Sequence, residues 1–300
     1  MSFAGDVKGE LCRSGLSRKC CAQAEAYGVL LYCNTYSAGE VRIITENEAF
    51  AQRLPQLFKK AFKVSFDRIP EGDGKFIFAI TDREKLAVIR QTFGDDAASF
   101  ALHMNFAMLE EPCCRRSFLK GAFLAGGSVT DPHKGYHLEL ATSHQSVSRE
   151  VLALMRELEL EPKDAKRKGN SVIYFKQSDK IEDFLTSLGA PVSAMEVMNA
   201  KLEKDIRGSV NRRVNCDAAN LDKAVEAAMV QVEAIRALEE SGQLIQLPDK
   251  LQEAAKLRVE HPADTLIQLA QRCDPPITKS ALNHRLRKLV ELSKALEQDT

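Results

Sequence analysis

The chain has no net charge: its 300 residues carry 42 basic and 42 acidic side chains. That balance argues against a uniformly basic nucleic-acid binder, while leaving local basic patches open. It also lacks any uninterrupted apolar run of about 18 residues, so no membrane span is expected. Its first ten residues hold no basic stretch followed by an apolar run, the pattern a secretory signal requires. A cytoplasmic location is the expectation.

CxxC spacing is missing too. The eight cysteines fall as two adjacent pairs, Cys20-Cys21 and Cys113-Cys114, and four singles. Neighbouring cysteines bridge each other poorly, and a cytosolic chain of this size needs no disulfides. A zinc site needs four converging ligands, and Cys12, Cys20 and Cys21 show no evident fourth partner. His133 and His137, beside Tyr136, stand at a loop and a strand start, where nothing favours a metal role. The sequence therefore leads us to expect ordinary thiols, with no metal and no cofactor.

What the chain does have is apolar material, 44% of its residues, enough for roughly two domains with a sizeable core. It also has an internal repeat. The stretch Arg116-Ser-Phe-Leu-Lys-Gly-Ala-Phe-Leu-Ala-Gly-Gly-Ser128 has a weaker copy in Ala26-Tyr-Gly-Val-Leu-Leu-Tyr-Cys-Asn34, and an alternating strand follows each. Unit one, about 22–95, reads as a helix over 24–33, a strand at 41–44 and a helix over 46–62. A hairpin at 66–69 and 75–80 and a helix over 83–92 complete it. Thr45-x-x-Glu48 and Thr81-x-x-Glu84 have the capping-box pattern, and Gly94 stops the last helix. Unit two, about 115–190, repeats the order: helix 116–125, strand 136–141, helix 148–158, a charged turn over 163–169, strand 171–176 and helix 179–188. Gly28 to Gly94 spans 66 residues and Gly121 to Gly189 spans 68. Equal units imply a duplicated α/β domain over 1–205. Its small-residue leading helices would pack closely across a pseudo-two-fold axis, setting two sheets side by side as a saddle.

These residues resemble the LAGLIDADG homing-endonuclease fold. Aligned on the motif glycine, the repeats read Leu119-Lys-Gly-Ala-Phe-Leu-Ala-Gly-Gly127 and Ala26-Tyr-Gly-Val-Leu-Leu-Tyr-Cys-Asn34. The family's nucleases hold an acidic metal ligand at the penultimate position, which is Gly126 and Cys33 here. Neither replaces a carboxylate on magnesium. Asp131, five residues beyond Gly126, reads as the start of an Asp-Pro turn. No catalytic residue is expected.

Residues 201–220 are polar, rich in Asn and Arg, and weakly periodic, and 206–220 reads as a linker. It is either a plain solvated connection or one whose Arg207, Arg212 and Arg213 meet phosphates, with Asn211 and Asn215 reaching phosphate or a base edge. Beyond it, 221–300 reads as all helix: 221–238 closed by Gly242, then 249–260, then a short helix over 265–272 capped by Asp264. A turn at Asp274-Pro-Pro-Ile follows, then a last helix over 279–296 opened by Thr278. A short helix, a tight turn and a longer basic helix outline a helix-turn-helix. Leu282, Leu286 and Leu289 share one face at 100° per residue, and Thr278–Val290 contains basic side chains but no acid. Ser280, Asn283, His284 and Arg287 are the expected base readers, and Thr278, Lys279, Arg285 and Lys288 the expected phosphate contacts. A solvated basic helix, or one that meets an acidic protein, is the competing reading.

From about Cys12 to Leu296 the chain is similar to the WhiA family of bacterial regulators. The matching stretches are Arg116–Pro132, Asn211-Arg-Arg-Val-Asn-Cys-Asp-Ala-Ala-Asn220 and Lys279-Ser-Ala-Leu-Asn-His-Arg-Leu-Arg-Lys-Leu289. The resemblance implies a non-enzymatic, nucleoid-associated protein that binds double-stranded DNA. It also implies a link to transcription, cell division, chromosome segregation and, in some relatives, sporulation, with transcription or division proteins as further partners. A module that binds such proteins with incidental DNA contact, and a surviving metal-dependent nuclease, are the alternatives.

Overall fold

A computed structural model describes residues 2–16, 18–70, 74–94 and 102–298. The chain divides into two compact units, Met1–Asp205 and Ile206–Thr300. Among the described residues no helix is long and apolar enough to cross a membrane.

In the first unit the repeat is laid out as α1 (Phe3–Arg13), α2 (Lys19–Tyr32), β1 (Thr35–Tyr36), β2 (Val41–Thr45), α3 (Glu48–Phe62), β3 (Phe76–Ile80) and α4 (Arg83–Phe93). The second copy follows as α5 (Pro112–Gly126), β4 (Gly127–Val129), β5 (Leu138–Thr142), α6 (Gln145–Glu157), β6 (Lys163–Arg167), β7 (Asn170–Phe175) and α7 (Ser178–Leu188). Both sheets are antiparallel, ordered β1-β2-β3 and β4-β5-β7-β6.

The two leading helices, α2 and α5, run through the core, apolar on nearly every side, as a helix surrounded by protein must be. They meet where both lack a side chain. A Cβ on Gly28 would stand 2.0 Å from the Phe118 carbonyl oxygen, and one on Gly121 would stand 1.9 Å from that of Glu25. Beside this contact lies a buried charge cluster. The Glu25 carboxylate accepts from Arg53 Nε at 2.5 Å and faces Lys120 Nζ at 2.8 Å.

Helix α1, unread in the sequence, is capped by Ser2 and buries Phe3, Val7 and Leu11. Its Glu10 carboxylate accepts from the Val192 and Ser193 amides, capping α8 (Pro191–Glu240).

Several local expectations are corrected. Asn47 caps α3 and Asp82 caps α4, whereas Thr45 and Thr81 stand just outside. Residues 66–69 form no strand beyond a single Arg68–Ala79 bridge, because Asp67 turns its carboxylate to the Thr81 and Asp82 amides; the expected turn at 71–73 lies outside the described residues. The charged stretch 163–169 is not a turn: its first five residues are β6, and Lys168 and Gly169 alone make the reversal, both at positive φ. An edge strand exposed on both faces carries no apolar alternation, and its lysines discourage pairing with other chains. Residues 206–220, read as a linker, lie within the continuous helix α8.

The second unit continues with α9 (Asp249–Glu260), α10 (Leu266–Arg272) and α11 (Lys279–Gln298). Its core comprises Ile235, Leu238, Ala254, Ala255, Leu269, Ala270, Leu282, Leu286 and Leu289. Thr265, not Asp264, caps α10, in a reciprocal box with Gln268. Asp264 serves instead to pair with Arg272 at 2.8 Å.

Candidate nucleic-acid interface

The chemistry of the second unit centres on α11. Thr278 opens it by accepting the Ala281 amide on its Oγ1 at 3.2 Å. The turn before it is fastened back by the Ile277 amide donating to the Ala270 carbonyl at 3.0 Å. Leu282, Leu286 and Leu289 are completely buried against α9 and α10. At 100° per residue, burying those three turns Ser280, Asn283, His284 and Arg287 outward within an arc of about 100°. Ser280, His284 and Arg287 are exposed, and Asn283 is half-buried. Lys279 and Lys288 flank the arc, both exposed, and Lys288 reaches Glu291 at 3.6 Å. An exposed rim of cations around amide, hydroxyl and imidazole groups can hold phosphates while it tests base edges.

Arg285 behaves otherwise. Its Nη1 donates to Glu253 Oε2 at 3.0 Å and to the Lys250 carbonyl at 3.4 Å, and its side chain is only 18% exposed. Glu253 also accepts the Asp274 amide at 2.8 Å. One carboxylate thus ties the interhelical turn and α11 to α9, a positioning role the sequence did not reveal. Glu253→Ala is expected to destabilise the second unit by about 1–3 kcal/mol, because a charged acceptor is removed from two donors. Hydrogen exchange over 249–298 checks this, and unchanged protection near Asp274 and Arg285 would contradict it.

Asn211, Arg212, Arg213 and Asn215 are all exposed on α8. Asn211 and Asn215 are one helical turn apart and share a face, whereas Arg212 and Arg213 point to successive sectors around the axis.

Residues 210–293 match the family model of the WhiA C-terminal HTH domain, and 115–207 match the WhiA LAGLIDADG-like domain. A relative from Ruminiclostridium cellulolyticum, named probable cell division protein WhiA, is 38% identical over 311 residues, covering 100% of this chain and 99% of its own length. The protein of that name from Alkaliphilus metalliredigens is 34% identical, with 98% of each chain covered. The chain belongs to the WhiA family. The crystal structure of full-length WhiA from T. maritima is similar in fold, with TM-score 0.61 at 21% identity, covering 98% of this chain and 99% of that one.

In this WhiA-family chain, the positions that carry acids in LAGLIDADG nucleases sit at the C-terminal ends of α2 and α5. The Cys33 thiol donates to the Leu30 and Thr35 carbonyls, and burial pushes its pKa up to about 12, so it stays neutral. At Gly126 a Cβ would meet the Ala141 carbonyl oxygen at 2.6 Å and the Tyr32 ring at 2.8 Å. An aspartate there would displace backbone. Asp131 makes its turn as read, its carboxylate accepting the His133 amide. Arg42 pairs with Glu40 at 2.7 Å on the exposed side of β2.

Proposed function

We propose that this chain is a non-enzymatic, sequence-specific binder of double-stranded DNA that regulates transcription at the nucleoid, in connection with cell division and chromosome segregation. The observation that carries the reading is the outer face of the first half of α11, where Ser280, Asn283, His284 and Arg287 stand with no acid from Thr278 to Val290, held opposite a fully buried leucine seam. The relatives' name, probable cell division protein, supports the link to division. The neutral Cys33 and the crowded Gly126 support the loss of nuclease chemistry.

In this reading Arg287 takes a guanine edge, Asn283 an adenine edge, and Ser280 and His284 adjacent positions. Thr278, Lys279 and Lys288 hold phosphates, while Arg285 contributes by fixing the helix. Arg287→Ala should weaken binding to a preferred site by about 1–3 kcal/mol and relax the preference at one position. Arg212→Ala or Arg213→Ala should weaken all sequences alike and flatten the salt dependence, if α8 contacts phosphate. Selection from a random-sequence duplex library, followed by anisotropy with each variant, separates these outcomes.

A protein partner is the second reading. It is favoured by apolar side chains exposed along α8: Ile206, Val210, Val214 and Leu221 are each more than half exposed. Weak binding to DNA with no preference among sequences would favour it over base reading.

A further inference from the structure

The two adjacent cysteine pairs, set aside in the sequence, converge in the fold. Cys20 and Cys21 lie in the first turn of α2, and Cys113 and Cys114 in the first turn of α5. Each pair stands at the same distance before the glycine of its own helix, Cys20 and Cys113 both eight residues ahead of Gly28 and Gly121. The crossing at those glycines therefore brings the pairs together. All four sulfur atoms lie within 4.8 Å of one another.

We propose that Cys20, Cys21, Cys113 and Cys114 form a tetrathiolate site for one soft divalent cation, zinc, joining the N-terminal ends of the two leading helices. In a tetrahedral zinc tetrathiolate the metal–sulfur bond of about 2.3 Å sets the sulfurs about 3.8 Å apart. The four thiols need only a small contraction to reach that spacing. Four sulfur ligands with no carboxylate among them select zinc over magnesium or calcium. The pairing already runs between helices, Cys21 with Cys113 and Cys20 with Cys114.

The surroundings fit the charge such a site would carry. Four thiolates around one divalent ion leave two negative charges. Neither α2 nor α5 has a side-chain cap, and the cysteine pairs lie at the positive ends of both helix dipoles. Arg18 Nη1 lies 4.0 Å from Cys113 Sγ. A cavity of about 390 Å³, lined by Cys21, Cys113, Arg116, Ser117 and Lys120, reaches the site from one side and offers a path for the ion. Cys114 is buried and Cys20 exposed, so the site is closed within and open at its rim. Binding would link the two repeats independently of any DNA contact, and would release protons from the thiols it captures.

The test uses the full chain, purified under reducing conditions without chelator. The expected result is one equivalent of zinc retained through desalting, and replacement by cobalt giving the visible bands and near-ultraviolet charge transfer of a tetrahedral thiolate complex. Cys20→Ser with Cys114→Ser should abolish both signals, while Cys216→Ser, at an exposed cysteine of α8, keeps them. Should the double variant fail to fold, alkylation of the native chain decides: zinc should protect these four thiols and a chelator should expose them, with a lower thermal midpoint. Zinc lost on desalting, cobalt without tetrahedral bands, metal retained by the folded double variant, or alkylation indifferent to zinc would each overturn the site. A disulfide joining the pairs in protein purified without oxygen would overturn it as well.

Discussion

Gly121→Ala is expected to destabilise the first unit by about 3 kcal/mol or more, at the upper limit of ordinary overpacking. The added Cβ would stand 1.9 Å from the Glu25 carbonyl oxygen, 2.9 Å from its carbon and 3.1 Å from the Val29 nitrogen. All three are backbone atoms of α2, so no rotamer change relieves the clash and the helices must separate. Separation would open the most closely packed part of the core, where Tyr27, Phe118 and Phe123 are completely buried. Gly28→Ala should behave alike, since its Cβ would meet the Phe118 oxygen at 2.0 Å and the Ala122 nitrogen at 2.7 Å. Gly9 gives the control: it lies in α1 with nothing within 4 Å of its would-be Cβ. There alanine should stabilise by about 0.5–1 kcal/mol through helix propensity. Denaturant unfolding of the three variants checks the set; native stability in Gly121→Ala would mean that the helices do not cross at these glycines.

Glu25→Gln is expected to cost about 3–5 kcal/mol, as removal of one partner from a buried ion cluster does. Glu25 is 2% exposed, and its carboxylate is the counter-charge for both Arg53 and Lys120, which are 7% and 8% exposed. The remaining partners are neutral: Arg53 donates to the Cys12 and Ser14 carbonyls, and Lys120 donates to Ser14 Oγ. Glutamine keeps the shape of the side chain and removes the charge, leaving two cations facing each other's field in a low dielectric. Replacing all three by apolar residues of similar volume should restore much of the loss, because the desolvation of three ions disappears with them. Equilibrium unfolding reads both variants. A loss below about 1 kcal/mol for Glu25→Gln would mean that water or relaxation already screens the cluster.

The repeat was legible because it is written in spacing. Two glycines that must be glycine, and two stops at Gly94 and Gly189 with φ of 70° and 93°, keep nearly equal intervals of 66 and 68 residues in the two copies. The leucine seam of α11 was legible for the same reason, three residues recurring on one face. Much of what was missed has no local signature, although helix α1 carries one in the spacing of Phe3, Val7 and Leu11. Strand β6 is polar on both faces because it is an edge. Residues 206–220 are helical although nearly all are exposed, so no buried stripe marks the helix. Arg285 looked like a phosphate contact because its partner, Glu253, is 32 residues away. The cysteine pairs do carry a signal in the sequence, their equal offset from Gly28 and Gly121. Only the crossing of α2 and α5 turns that offset into proximity.

Fluorescence anisotropy of the full chain against its selected duplex, across a salt series with magnesium present and with Arg287→Ala in parallel, tests the central claim most directly. The account predicts tight binding that weakens steeply with salt, a variant that loses about 1–3 kcal/mol on that duplex but little on unrelated DNA, and DNA recovered intact. Equal affinity of native chain and variant for every duplex would contradict base reading by α11, and cleaved DNA would contradict the loss of nuclease chemistry.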